Sequence, residues 1–310
     1  MGFSFYGMGN INYSKPALSV EQQVEQLINR GMNVENRKKA LHLLEHISYF
    51  RFSAYWYPFI EDKNTLRFKD KTTFEMAFQY YCFDKKLRKL LSNELEKLEV
   101  SFRTQIIYVL SHAFGPFWFE RENLFPNKKF YTVVMNNLNL EYERSDEQFI
   151  KEFKEKYSNH YPPSWILLEI CSFGTISQFY KCLKPGKEKR RIADIYGLHD
   201  VDFMSWLHVL IYVRNICAHH ARLWNRVLRI KPKYPITPKH EWLRSIVPND
   251  RIYYVLSMIQ YLLKTVNPNS KLIQQLELLF KNYPLVQRKD LGFPDYWESE
   301  PLWKSASPTQ

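Results

Sequence analysis

The sequence predicts an all-α protein, and three observations carry that reading. Apolar residues recur three and four positions apart over long stretches, no stretch alternates apolar and polar residues over a useful strand length, and no glycine-rich phosphate loop or internal repeat intervenes. At 310 residues and 45% hydrophobic, the chain can bury one large core or two intimately packed ones. The 44 Lys and Arg against 32 Asp and Glu leave a net charge of +12, and 16% of the residues are aromatic. Positive charge with abundant rings is the footprint of a nucleic-acid binder, and RNA recognition in particular adds stacking on aromatics. A merely soluble basic protein has the same composition.

Residues 1–15 are rich in Gly, Asn and aromatics without a period, which predicts an irregular arm. A helix follows from Leu18 to Arg30, with Ser19 as N-cap, Gln22 completing a capping box and Gly31 as the stop. Asn36 caps the next helix, expected through about Phe50, and Tyr55 to Pro58 closes that region in an aromatic corner. Asp62 to Lys71 is polar and turn-like. Thr73 then opens a long helix to about His112, whose Phe83, Leu87, Leu90, Leu91, Leu95, Leu98 and Phe102 form one apolar side. On that helix Glu99 and Arg103 are four apart. They suit an intrahelical ion pair, or a pair that steers side chains of a facing helix, with Arg103 as a phosphate contact.

Gly115-Pro116 breaks the pattern, and helices are expected over Tyr131–Leu140, over Ser145–Tyr157 (capped by Ser145 or Asp146) and over Trp165–Leu183. The run Lys184-Pro-Gly-Lys-Glu-Lys-Arg-Arg191 is the densest basic patch, suited to a solvated loop or to a phosphate backbone through Lys187, Lys189, Arg190 and Arg191. Two final helices are expected over Arg251–Lys264 and Lys271–Lys281, with a proline- and aromatic-containing tail from Pro284 that can lie over the body.

The chemistry concentrates in Arg214-Asn215-Ile216-Cys217-Ala218-His219-His220-Ala221-Arg222-Leu223-Trp224-Asn225. It follows the apolar run Trp206–Val213, which reads as a helix leaving the interior. If that helix runs on unbroken, Asn215, His219 and Arg222 share a face, continued by His208 and Arg226. Arg214 lies about 140° off the stripe, within reach of a shared anion through its long side chain. His219 can give or take a proton near neutral pH. Arg214 offers a planar fork for phosphate oxygens, and Asn215 can orient the imidazole or a sugar. His220 suits a second proton-transfer group, a structural residue, or a ring packed on Trp224. Arg222 suits a structural or phosphate-binding role. Together these groups fit cleavage of an RNA phosphodiester by its own 2′-hydroxyl, without a metal. Spacing alone equally suits a buried polar cluster that pins helices, and Arg37 with His42 repeats the same interval on an amphipathic segment read as a solvated face.

The basic stretch Arg226, Arg229, Lys231, Lys233 and Lys239 leaves the motif through a proline-punctuated loop and is the stronger RNA-binding candidate. The four cysteines, Cys82, Cys171, Cys182 and Cys217, form no C-x-x-C pair, which suits a reduced cytoplasmic chain. No second ligand cluster faces Cys217, His219 and His220, so neither metal nor cofactor is expected. There is no signal peptide and no apolar run of about 18 residues, so no membrane partner is expected.

The string R-N-x-x-A-H-H-x-R-L-W-N resembles the signature of the Abi-like (AbiD/AbiF-type) abortive-infection proteins of the HEPN superfamily. Two upstream blocks resemble the same family. One is His46-Ile-Ser-Tyr-Phe-Arg-Phe-Ser-Ala-Tyr-Trp-Tyr-Pro-Phe59, with Ser48 and Ala54 where the family has glycine. The other is Phe83-Asp84-Lys85-Lys86-Leu87-Arg88, followed by Glu96, Glu99 and Arg103. The resemblance covers about residues 15–235 and implies a HEPN-type helical bundle over 16–235, with 236–310 as additional helices and tail on the same body. It further implies a metal-independent endoribonuclease of phage defence or a toxin–antitoxin system, with Arg214, Asn215, His219 and His220 as the catalytic set. A homodimer joining two copies of the motif and a small noncoding RNA as partner are expected on the same ground. A non-catalytic module that grips phosphate with the same residues is the alternative, and a structural or sensing protein with a basic face is a second.

Overall fold

The fold is organised on α4 (Phe74–Phe114), a helix of 41 residues that is about 60 Å long at 1.5 Å per residue. The structure, a computed structural model, describes residues 12, 14 and 16–304, so the arm expected over 1–15 falls almost wholly outside the described residues. Thr73 starts α4 by accepting the Met76 amide proton on its hydroxyl, and Gly115 ends it at φ 86°. Its apolar positions are buried on more than one side because helices pack on it from several directions.

At the N-terminal side lie α1 (Val20–Asn29), α2 (Arg37–Ile47) and α3 (Tyr49–Trp56). Ser19 and Gln22 form the expected capping box of α1. The helix expected from Asn36 to Phe50 is two helices. Ser48, at φ 65°, ends α2 and caps α3 with its hydroxyl. This is one of the positions where the family resemblance expects glycine, and the backbone takes the left-handed conformation that glycine suits. Residues 62–71 are also more ordered than expected. They include part of a small antiparallel hairpin of β1 (Ile60–Asp62) and β2 (Arg67–Phe68), whose turn is tied by the Asp62 carboxylate. These strands are too short to show alternation in sequence.

The next helices are α5 (Lys128–Arg144) and α6 (Gln148–Lys156). Glu147 rather than Ser145 or Asp146 stands at the cap position of α6. The single helix expected over Trp165–Leu183 is broken into α7 (Ser164–Leu167) and α8 (Phe173–Cys182), which Ser172 restarts as N-cap. The basic run 184–191 is not a loop throughout. From Lys187 it forms α9 (Lys187–Ile195), packed on α4.

α10 (Asp200–Ala218) crosses α4, α8 and α9 with Trp206, Leu207, Val209, Leu210 and Val213 buried. α11 (Ile252–Val266) and α12 (Leu272–Asn282) pack along α4 from the opposite end of the sequence. The tail lies back on the body, with Leu302 and Trp303 buried and Trp303 stacked on Tyr253. Helices dominate, and the hairpin is a minor addition. No helix among the described residues is long and apolar enough to cross a membrane.

Candidate functional site

The motif sits at the C-terminal end of α10, and the helix does not run through it. His219 is the C-cap, and His220 turns the chain at φ 55°. The Ala221 amide donates to the Ile216 carbonyl and the His220 amide to the Cys217 carbonyl, both at 3.0 Å. This is a Schellman termination with histidine where glycine is usual. The stripe expected to continue through Arg222 and Arg226 is therefore broken, because both residues lie on the loop after the turn. Arg214, Asn215, His219 and His220 stay together at the helix end. Asn215, His219 and His220 are exposed and Arg214 is half-exposed.

Arg214 is held from α4. Its Nε lies 3.7 Å from a Glu99 carboxylate oxygen, and its guanidinium approaches the Asn215 side-chain oxygen at 3.5 Å. The other Glu99 oxygen pairs with Arg103 at 3.2 Å. Arg103 is itself buried and donates to the carbonyls of Leu168, Glu169 and Cys171. Both sequence readings of the Glu99–Arg103 pair thus hold, as an ion pair and as a support for the facing helix. The expected phosphate contact of Arg103 is corrected, since its guanidinium fastens the break between α7 and α8.

The loop after the helix is held by a second α4 carboxylate, Asp84. Fully buried, it accepts hydrogen bonds from the Leu223 and Trp224 amides, from the Tyr55 hydroxyl at 2.7 Å and from Arg88. Burial pushes the Asp84 carboxyl above its ordinary range, against the pull of Arg88, Tyr55 and the two amides. A buried ion pair is weak evidence of net stability, because desolvation of two charges offsets their attraction. What the arrangement fixes is position.

Three more bonds tie the same loop. Arg51 donates to the His220 carbonyl at 2.8 Å, Arg222 to the Ala54 carbonyl at 2.8 Å, and Arg226 to the Arg222 carbonyl at 2.9 Å. Trp224 stacks on Tyr80 (ring centroids 4.4 Å apart) and Tyr55 (6.3 Å), whereas His220, considered as its packing partner, is exposed. The blocks around Ser48 and Asp84 thus converge on the motif. Spacing gave no sign that Asp84, Tyr55, Arg88 and Arg51 would meet there, although each lies in a block that carries the family resemblance.

The predicted basic contacts separate into two groups. Lys187, Arg190, Arg191, Arg229, Lys231 and Lys233 are exposed, Lys231 in a 2.7 Å pair with Asp250. Lys189 is buried, its ammonium donating to the Leu183 and Lys181 carbonyls at the end of α8, and burial lowers its pKa. That placement corrects the expectation that Lys189 contacts RNA. Burial also pushes the Cys217 thiol up to about 12, which disfavours it as a thiolate ligand. Among the described residues, one trio of metal-ligating type has its ligand atoms close together: His42, Glu45 and His46, all exposed on α2.

What the arrangement can do is limited but definite. It places a cation, an amide and two solvent-facing imidazoles on neighbouring residues at one helix end, groups able to bind an anion and to exchange protons. No curated protein and no solved structure matches the chain. The family described as Abi-like protein matches residues 42–225, a span that contains Arg51, Tyr55, Asp84, Arg88, Glu99, Arg103 and the whole motif. That match covers more than half of the sequence, and the chain belongs to the Abi-like family.

Proposed function

We propose that the protein is a metal-independent endoribonuclease of the HEPN type, acting in abortive infection or as the toxin of a toxin–antitoxin system. The observation that carries this reading is the solvent-facing group Arg214, Asn215, His219 and His220, held by Glu99 on one side and by the Asp84-anchored loop on the other. In the proposed reaction the 2′-oxygen of RNA attacks phosphorus and the bond to the 5′-oxygen breaks. The products are a 2′,3′-cyclic phosphate and a 5′-hydroxyl end. His219 takes the 2′-hydroxyl proton or delivers one to the leaving oxygen. Arg214 stabilises the charge developing on the phosphoryl oxygens, and Asn215 orients the reacting groups. His220 stands beside them as a second proton carrier.

A homodimer that joins two α10 ends supplies a second copy of each group, and that is the proposed assembly. A small noncoding RNA is the proposed partner that restrains the enzyme, and the exposed basic residues supply its phosphate contacts.

The test uses labelled single-stranded RNA with wild type and His219→Ala, each with and without EDTA. Cleavage by wild type in EDTA, with cyclic-phosphate ends and loss of at least about a hundredfold in His219→Ala, is the expected result. RNA binding without cleavage, after copurifying RNA is stripped, points to a phosphate-gripping module instead.

A further inference from the structure

We infer that a cleft beside the motif, between α8 and α10, seats the single-stranded RNA next to the scissile phosphate. The inference rests on the ribonuclease reading and extends it to a substrate subsite. The cleft has a volume of about 320 Å³, at the lower end of the range of roughly 300–1,000 Å³ typical of small-ligand sites. Phe130, Ser177, Gln178, Lys181, His208 and Lys233 are in its wall, and none of the residues lining it is acidic. In a chain of net charge +12, a cleft with two lysines and no carboxylate is matched to an anion.

Its position joins it to the motif. His208 and Asn215 are seven residues apart on α10, nearly the same direction around the helix axis, and Ile211, also in the wall, lies between them. The separation along the axis is about 10 Å, the length of roughly three stacked nucleotides at about 3.4 Å each. A strand with its reacting phosphate at Arg214 and His219 therefore reaches the cleft without bending away from the helix.

The wall also supplies the groups that single-stranded RNA uses. Phe130 offers a ring, with the Lys181 ammonium 5.4 Å from its centroid. Asn137 donates to the Gln178 side-chain oxygen at 3.2 Å, so the amide nitrogen is the end left to donate to a base edge. The backbone around Lys233 is pinned, because its amide donates to Ser205 and its carbonyl accepts from Trp206. A cationic groove with an aromatic platform and few fixed polar groups binds single strands by charge and stacking.

The experiment measures binding of a fluorescein-labelled single-stranded RNA by anisotropy across a salt series. It uses the full chain carrying His219→Ala so that the RNA stays intact. Lys181→Gln with Lys233→Gln is compared with Lys63→Gln with Lys281→Gln, an exposed pair elsewhere on the surface. The cleft pair is expected to reduce the slope of log affinity against log salt by about 1.4, since each phosphate of a single strand that is no longer neutralised removes about 0.7. The control pair is expected to leave the slope unchanged. Equal slopes in the cleft pair and its parent, or equal losses in both pairs, overturn the cleft assignment. Cleavage by the wild-type chain is scored separately. Its absence, with the cleft pair still reducing the slope, removes the ribonuclease reading and leaves the cleft as an RNA-binding groove.

Discussion

At the scale of single residues, His220 poses the sharpest choice. Its backbone sits at φ 55° while its ring is exposed, so little packing depends on the side chain. A left-handed conformation costs a non-glycine residue roughly 1–2 kcal/mol, and glycine loses some of that advantage through its greater freedom in the unfolded chain. His220→Gly is expected to stabilise the protein by about 0.5–1 kcal/mol, measured by urea unfolding. The same variant separates the roles left open for this histidine. Cleavage that falls as the fold tightens assigns the imidazole to chemistry, and unchanged cleavage assigns it to the turn. Asp84 is the contrasting case, a buried side chain with no access to a substrate, whose hydrogen bonds from four residues decide where the loop lies.

At the scale of elements, the helix termini and breaks carry the information that periodicity misses. Arg103 fastens three carbonyls of the α7–α8 connection and braces Glu99 against Arg214. Arg103→Met leaves those carbonyls without their donor, at roughly 1–3 kcal/mol for each one that stays buried and unsatisfied. A loss of at least about 2 kcal/mol in thermal or urea unfolding is expected, together with weaker cleavage because Glu99 loses its brace. A long amphipathic helix such as α4 was legible because its 3–4 spacing persists and its caps, Thr73 and Gly115, are of the expected types. The break after Leu167 was not read from the sequence, since the carbonyls it frees are satisfied by an arginine more than sixty positions earlier in the chain. The termination at His219 was hidden for another reason: histidine occupies the position where glycine would have announced it. The residues of the candidate site could be named from the sequence, and so could Glu99 as a group steering a facing helix, but spacing gave Asp84, the α4 carboxylate that anchors the following loop, no such role.

At the scale of the whole molecule, the region matching the family ends at residue 225, yet the core continues beyond it. In α11, 11 of 15 residues are buried, and the helix packs on α4, on which the candidate site is built. Each large apolar side chain in such a place contributes about 1.5–3 kcal/mol on burial, so their joint loss exceeds a typical net stability of about 5–15 kcal/mol. A chain ending at residue 249 is therefore expected to lose cooperative unfolding and near-ultraviolet circular dichroism, not merely regulation. Light scattering of the intact chain gives the complementary measurement, where a mass twice that of the monomer supports the proposed pairing of two motifs.

The Schellman turn has one further consequence, an electrostatic one. Carbonyl ends of a helix present about half a negative charge, and anions are normally received at the opposite end, where amide protons point outward. A phosphate brought to the end of α10 meets the unfavourable pole of the helix macrodipole. In the proposed reaction Arg214 then has two tasks, cancelling that field and gripping the phosphoryl oxygens, and its neutralisation would turn an attractive locus into a repulsive one. Arg214→Gln is accordingly expected to weaken RNA binding more than Arg190→Gln, an exposed arginine in the first turn of α9, with the difference shrinking as added salt screens the field. Equal losses in the two variants, measured by anisotropy at low salt, would show that the pole of the helix is not felt by the RNA.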